Sequence, residues 1–205
     1  GFGVGYDGRV NVYANSGGAG GSHPYCWPSW DPNPGEFSFS SSSSILENQC
    51  VSLTATYDGA QVKIYIDGAL DVTYQTIEVD PYAPVYDLRL GKEENLPYQS
   101  FLGNMYNVQI WNMALSDSDV LNYIISPPNG GEDGLIAYWN FEEEPDGGQV
   151  VDLSGNGING TINGATYIEE TTEQSCQVVS CIDSDDINVT FLPEGCTDET
   201  ACNYD

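Results

Sequence analysis

The chain has 205 residues, of which 40% are hydrophobic, so it can bury a core and does not have the composition of a disordered polypeptide. Aspartate and glutamate outnumber lysine and arginine by 31 to 4, and the net charge of -27 repels phosphate backbones and anionic lipid headgroups, which excludes nucleic acid as a partner. No apolar run approaches the ~20 residues of a membrane-spanning helix, so no membrane insertion is predicted.

The amino-terminal part of the chain predicts strands on either side of one long loop. Residues 1–14 predict strand structure with an Asp-Gly turn within Tyr6–Val10. The following loop is rich in glycine and proline, which excludes regular structure, and loops of this length are often functional. The serine-rich run Ser38–Ser44 predicts either a loop or an edge strand.

Apolar and polar side chains alternate in the next two segments, as they do in half-buried strands. Val51–Tyr57 shows this alternation, and Val62–Asp67 repeats it with Tyr65 on the polar face. Asp-Gly pairs at 58–59 and 67–68 predict turns, and the second turn leads into a further strand at Ala69–Gln75.

The middle of the chain adds strands and one short helix. Leu88 and Leu90 mark one strand, and Tyr106–Ile110 marks another. Ser116 is the predicted N-cap of the helix, and Asp119 supplies an acidic variant of the capping box. Short strands with glycine-containing turns, including a last strand at residues 137–142, predict an all-β, antiparallel two-sheet sandwich.

Six cysteines predict disulfide bonds and therefore an oxidising compartment, because the number is even and the spacing does not suggest a zinc site. The close pair Cys196 and Cys202 suggests a local bridge, but the spacing does not fix the connectivity. The six are Cys26, Cys50, Cys176, Cys181, Cys196 and Cys202.

Three segments together resemble the laminin-G-like jelly-roll family of the concanavalin-A-like lectin/glucanase superfamily. Cys50–Leu70 is similar to the family's central hairpin, in which two successive strands end in Asp-Gly turns. Leu88–Val120 is similar to its closing strand and short helix, and Gly134–Tyr167 to the segment that commonly opens such a domain or trails one. The resemblance implies a jelly-roll sandwich and a structural calcium ion.

The chain departs from the family pattern in three places. Cys50 stands where the family usually has tryptophan, which suggests that a disulfide with Cys26 replaces an aromatic anchor. Tyr106-Asn107 stands where an Asp-Glu pair is usual, so a common carboxylate is missing. The expected opening strands are absent before Gly1, so either the domain is incomplete at its N-terminus or Gly134–Tyr167 supplies those strands from the other end.

The carboxyl-terminal residues resemble the start of a Cys- and Asp-rich repeat found in secreted Bacteroidota proteins with type IX secretion signals. The predicted organisation is a sandwich at residues 1–167, an acidic linker at 168–194 and the beginning of this repeat at 195–205. The chain is therefore expected to belong to a larger multidomain protein that is secreted or lies at the cell surface.

The calcium candidate is the loop Asp152–Thr161, where Asp152 and Asn156 can offer side-chain oxygens and glycines can turn carbonyls inward. Calcium takes about six to eight oxygen ligands, which such a loop could supply. The alternative is a glycine-rich turn capped by Asx hydrogen bonds. A second candidate lies near the C-terminus, and its residues are Asp198, Asn203 and Asp205.

The carbohydrate candidate is the loop His23–Asn33. Its aromatic rings have no place in a periodic core pattern, and rings beside acidic and amide side chains suit sugars, whose C–H faces stack on them. The alternative is that these rings fold back onto the sandwich. The predicted ligand-binding residues are Tyr25, Trp27, Trp30 and Asp31.

Catalysis has little support in the sequence. Retaining glycosidases need two carboxyl groups about 5–5.5 Å apart, and only Glu142 and Glu144 could share a strand face, with Pro145 immediately after them. We therefore predict a non-catalytic extracellular recognition module that binds polysaccharide with calcium as a structural ion. The alternatives are a structural or protein-binding module of a filament or adhesin and, more remotely, a glycoside hydrolase.

Overall fold

The computed structural model describes residues 2–15, 36–75, 88–91 and 101–169. Within these ranges the chain forms short strands and one α-helix. In chain order the elements are β1 Phe2–Val4, β2 Arg9–Asn15, β3 Glu36–Ser44, β4 Leu53–Tyr57, β5 Gln61–Ile66, β6 Ala69–Gln75, β7 Val108–Trp111, α1 Asp117–Ile125, β8 Leu135–Trp139, β9 Gln149–Val150 and β10 Gly160–Thr161.

The first sheet has the strand order β1-β2-β3, and both pairings are antiparallel. The predicted Asp-Gly turn joins β1 to β2, and the backbone N–H of Gly8 donates to the carbonyl of Gly5 at 3.0 Å. The serine-rich run lies in β3, so it is the edge strand rather than the loop of the two predicted alternatives. The last register pair, Asn15 with Glu36, brings together the two positions that flank residues 16–35.

The second sheet has the order β4-β5-β6 and is also antiparallel, which confirms the hairpins predicted from alternation. It packs on the first sheet through a cluster of fully or nearly buried side chains. Removal of these side chains from water is the main stabilising contribution here. The cluster consists of Val10, Phe39, Val62 and Ile64.

Polar contacts fix how the two sheets meet. The carboxylate of Asp71 in β6 accepts hydrogen bonds from the backbone N–H groups of Ser42 and Ser43 in β3. Beside it, the Tyr74 hydroxyl donates to the Ser40 carbonyl at 2.6 Å, and the Tyr74 ring lies 5.2 Å from that of Phe39. Side chains of β6 thus satisfy backbone groups along β3, which lies at the end of its own sheet.

The first residue of helix α1, Asp117, contacts the face of β5 that the alternation assigned to solvent. Tyr65 is fully buried, and its hydroxyl donates to Asp117 Oδ1 at 2.8 Å. Lys63 Nζ lies 2.7 Å from the same oxygen. The expectation that Tyr65 lies on a polar face is therefore wrong, because the helix turns that face into an interface.

The N-cap of α1 is the one the sequence predicts. Ser116 Oγ accepts from the backbone N–H of Asp119 at 3.2 Å, and Asp119 Oδ2 accepts from the backbone N–H of Ser116. Replacing Ser116 by alanine should lower the unfolding free energy by about 1 kcal/mol, because a helix donor loses its acceptor. Thermal unfolding would measure this as a midpoint about 2–4 °C lower. Ser126→Ala at the exposed other end is the control, and equal losses would contradict a capping role.

Strands β7 and β8 pair with each other in an antiparallel ladder. The segment Gly134–Tyr167 therefore contributes the strand that pairs with β7, while its replacement of the missing opening strands stays a prediction. Four of the five residues of β8 are nearly inaccessible, namely Leu135, Ala137, Tyr138 and Trp139. On the other side of β7, the rings of Trp111 and Tyr123 lie 4.7 Å apart and attach the strand to α1.

One predicted strand is not observed where the structure describes it. Residues 88–91 are irregular, and Leu88 and Leu90 are exposed rather than facing a core. Elsewhere in the described ranges the architecture is mostly β, with antiparallel sheets and a single short α-helix, as in a jelly-roll sandwich. No helix in these ranges is long and apolar enough to cross a membrane.

Candidate functional site

The turn between β9 and β10 is built around the buried carboxylate of Asp152. Its Oδ1 accepts from the backbone N–H groups of Tyr138 and Ser154 at 3.0 and 2.9 Å. Its Oδ2 accepts from the Ser154 hydroxyl and the Ile158 N–H at 2.8 and 2.9 Å. A single side chain therefore holds the strand, the turn and the segment beyond the turn together.

Neighbouring amides and hydroxyls complete this arrangement. Asn156 Nδ2 donates to the carbonyls of Leu135 and Ile136, both at 3.0 Å. Asn159 Oδ1 accepts from the Asp152 N–H at 3.0 Å, and Trp139 Nε1 donates to the Ile158 carbonyl at 3.0 Å. The turn thus forms hydrogen bonds with backbone groups of β8 that do not pair with β7. It therefore covers the edge of β8 at which another strand could otherwise pair.

The surroundings of Asp152 favour its charged form. Burial by itself raises the pKa of this carboxyl group, but the N–H groups of Tyr138, Ser154 and Ile158 and the Ser154 hydroxyl together lower it. The net pKa lies below the usual value for aspartate. Asp152 is therefore a stable anion whose charge is compensated by donors of the protein itself.

These contacts do not suit a calcium ion at Asp152. Both carboxylate oxygens already accept two hydrogen bonds each, and Asn156 presents its amide nitrogen to the strand. Within the described ranges, no group of three or more His, Cys, Asp or Glu side chains could hold a metal ion. The arrangement around Asp152 matches the Asx-capped turn that the sequence analysis gave as the alternative. Calcium binding elsewhere in this chain stays a prediction.

A second loop packs against this turn and forms an open depression with it. Glu132 closes the second loop, because its carboxylate accepts from the N–H groups of Asn129 and Gly130 at 2.7 and 3.0 Å. The Gly131 N–H reaches the Ser154 carbonyl at 3.3 Å. The depression has a volume of about 420 Å3, and the polar side chains lining it are those of Asn112, Glu132, Asp133, Ser154 and Asn156.

Of these lining residues, the sequence identified only Asn156 as a site candidate. The glycine-rich run at 129–134 was not among the predicted site segments. Its pairing with the Asp152 turn depends on the β7–β8 ladder, since that ladder brings Asn112 beside Gly134: the Asn112 N–H donates to the Gly134 carbonyl at 2.9 Å. The clustering of Asn, Asp and Gly in both loops was the available indication.

The three consecutive glutamates do not form the strand pair considered for catalysis. β8 ends at Trp139, and Glu142, Glu143 and Glu144 lie in an exposed irregular segment beyond it. The Glu142 carbonyl accepts from the Tyr167 hydroxyl at 2.8 Å, which fixes the backbone rather than the carboxylate. Glu142 and Glu144 therefore have no common strand face.

The remaining predicted site residues lie outside the described ranges. Among the predicted disulfide cysteines, Cys50 is described; it is exposed and disulfide-bonded, while its pairing with Cys26 stays a prediction. The residues outside are Tyr25, Cys26, Trp27, Trp30, Asp31, Cys176, Cys181, Cys196, Asp198, Cys202, Asn203 and Asp205.

The antiparallel sheets, the short helix on one face and the covered strand β8 define a jelly-roll sandwich protein. The chain belongs to the concanavalin A-like lectin/glucanases superfamily, because the Laminin_G_3 family of that superfamily matches residues 3–121. The matched region contains β1 to β7 and the first half of α1, whereas β8 and the Asp152 turn lie beyond it.

Two solved structures are similar to this chain. One is a protein from Bacteroides ovatus ATCC 8483 provisionally assigned as carbohydrate-binding, with a TM-score of 0.55, 23% identity, and coverage of 63% of this chain and 39% of that one. The other is an S-layer domain-containing protein from Clostridium thermocellum ATCC 27405, with a TM-score of 0.30, 15% identity, and coverage of 56% and 51%. The alignment thus covers less than two thirds of either protein. No curated protein matches the sequence.

Proposed function

We propose that this chain is a non-catalytic carbohydrate-binding module of a secreted or surface protein. The observation that carries the proposal is the chain's membership in a superfamily of lectins and glucanases, shown over residues 3–121. The Bacteroides ovatus protein of similar fold supports it, because carbohydrate binding is the activity provisionally assigned to that protein. Secretion is supported by the even number of cysteines.

The described carboxyl groups whose pKa is displaced are all stabilised as anions. A glycosidase needs a general acid with a raised pKa close to a second carboxylate. Asp58, Asp71, Asp117 and Asp152 have displaced pKa values, and all four are lowered. For Asp71 and Asp152, burial raises the pKa, but hydrogen bonds donated to the carboxylate outweigh it. Such groups are stable anions that position backbone, which is a structural role.

The binding surface that we propose includes the loop between β2 and β3. From its sequence, Trp27 and Trp30 supply flat apolar faces for sugar rings, and Asp31 supplies an acceptor for hydroxyls. The loop's two ends are held together by the pairing of Asn15 with Glu36, so a rigid sheet carries it. Loops carried by rigid scaffolds are common binding elements.

Replacing Trp27 and Trp30 by alanine together should weaken glycan binding by roughly 5- to 150-fold, since each stacked ring contributes roughly 0.5–1.5 kcal/mol. A glycan array and then calorimetry with the retained glycan would measure this. Tyr6→Ala is the matched control, because Tyr6 is fully exposed in the β1–β2 turn.

Three outcomes separate the alternatives. Loss of binding with an unchanged unfolding midpoint supports a sugar-stacking role for the two rings. A large fall in the midpoint would mean that the tryptophans belong to the core instead. If the parent chain bound no polysaccharide at all, the carbohydrate proposal would fail and a protein-binding or structural module would take its place.

A further inference from the structure

The charge distribution limits which glycans this chain can bind. The sequence has 31 acidic residues and 4 basic ones, and the four are Arg9, Lys63, Arg89 and Lys92. Sulfate and carboxylate groups of acidic glycans are recognised mainly by arginine and lysine, whose charged donors match those oxygens. Binding of an acidic glycan therefore depends on how many of these donors are free to contact it.

The basic side chains that the structure describes are already engaged. Lys63 Nζ lies 2.7 Å from Asp117 Oδ1, and its pKa is raised, chiefly by the hydrogen bond to Asp117. Arg9 Nε lies 3.8 Å from Asp7 Oδ2, and Arg89 also has an interaction partner. A ligand that recruited any of them would have to displace a carboxylate or another group of the protein.

The polar surfaces that could face a ligand are acidic as well. The depression between the two loops is lined by the carboxylates of Glu132 and Asp133 and, among the residues identified there, by neither lysine nor arginine. An anionic ligand would approach this depression against a net charge of -27.

We infer that the ligand of this module is a neutral or amino-sugar polysaccharide, and that glycans carrying sulfate or uronate groups are excluded by charge. The inference rests on the proposed carbohydrate-binding function. Like charges brought together at an interface cost several kcal/mol, whereas a hydroxyl-rich neutral chain does not meet this penalty. A protonated amino sugar gains from the same field.

Matched pairs of polysaccharides test the inference, because the members of a pair share a backbone and differ in charge. The pairs are dextran with dextran sulfate, methyl-esterified with de-esterified galacturonan, and hydroxyethylcellulose with carboxymethylcellulose of the same chain length. Retention of the full chain on each is measured at low and high salt, with chelator and with calcium. In any pair whose neutral member is retained, the acidic member should bind at least about tenfold more weakly at low salt.

The salt dependence of retention shows whether charge repulsion or a difference in glycan shape weakens the binding of the acidic member. Because salt screens exposed charges, the difference within a pair should narrow as salt rises, and binding of chitosan oligosaccharide should weaken. Stronger retention of an acidic member, with or without calcium, would overturn the inference and leave the carbohydrate proposal standing. A difference that does not change with salt would also overturn it, since shape would then be the cause. Retention of no glycan in either class would refute the proposed function itself, and the inference with it.

Discussion

Replacing Asp152 by alanine is expected to lower the free energy of unfolding by about 3 kcal/mol. The substitution removes the acceptor of four donors, which belong to Tyr138, Ser154 and Ile158. A buried donor left without an acceptor costs about 1–3 kcal/mol, and water entering the vacated space offsets part of the total. For a domain of this size, the midpoint of thermal unfolding should fall by roughly 6–12 °C.

Two comparisons isolate the role of this carboxylate. Asp146→Ala removes an exposed carboxylate from the same part of the chain and should change the unfolding free energy by less than about 0.5 kcal/mol. The loss caused by Asp152→Ala should also be the same in excess calcium and in chelator, because the donors to Asp152 come from the protein. If the loss appeared only in the presence of calcium, Asp152 would be an ion ligand and the Asx-turn interpretation would be wrong.

The stability of the folded chain at low pH should also depend on the carboxylate of Asp152. The pKa of Asp152 in the folded chain lies below that of an unfolded aspartate, which is about 3.9. Its stabilising contribution is therefore complete above that unfolded value and is lost as the pH falls through the folded value. The unfolding midpoint of the parent chain should decrease below about pH 4, and that of Asp152→Ala should decrease less. Identical pH profiles would show that the charge of Asp152 does not contribute.

The sequence predicted the strands because alternation is a local property. Val62 and Ile64 are buried, and the turns at 58–59 and 67–68 lie where Asp-Gly pairs predicted them. Alternation could not predict the burial of Tyr65, since that depends on where α1 lies after more than fifty intervening residues. A face assigned to solvent becomes an interface only in the tertiary structure.

The Asp152 turn shows why composition alone did not decide between an ion site and a hydrogen-bonded turn. Asp, Asn and Gly supply oxygens for calcium, and the same residues accept backbone N–H groups in Asx turns. What separates the two is whether protein donors reach the carboxylate oxygens. Those donors include Tyr138 and Ile158, which lie fourteen residues before and six residues after Asp152. The position of Tyr138 follows from the β7–β8 ladder, and that pairing cannot be read from the local sequence pattern.

Gly130→Ala should lower the free energy of unfolding by about 3 kcal/mol. This loss is comparable to that of Asp152→Ala but has a different physical cause. Gly130 has a φ of +92°, and a side-chain carbon there would overlap the carbonyl oxygen of Leu153. That carbonyl cannot easily retreat, because the Leu153 N–H donates to the Tyr138 carbonyl at 2.7 Å. The substitution therefore combines left-handed backbone strain of about 1–2 kcal/mol with overpacking between the two loops.

The adjacent glycine provides a control with nearly the same backbone. Gly131 has a φ of +84°, but a side-chain carbon there would meet nothing within 4 Å. Gly131→Ala should therefore show only the backbone strain, and chemical denaturation should place Gly130→Ala about 2 kcal/mol below it. Equal stability of the two variants would mean that the loop at 129–134 does not press against the Asp152 turn. Because both changes add a single methyl group to neighbouring positions, the difference between them measures the contact that encloses the acidic depression.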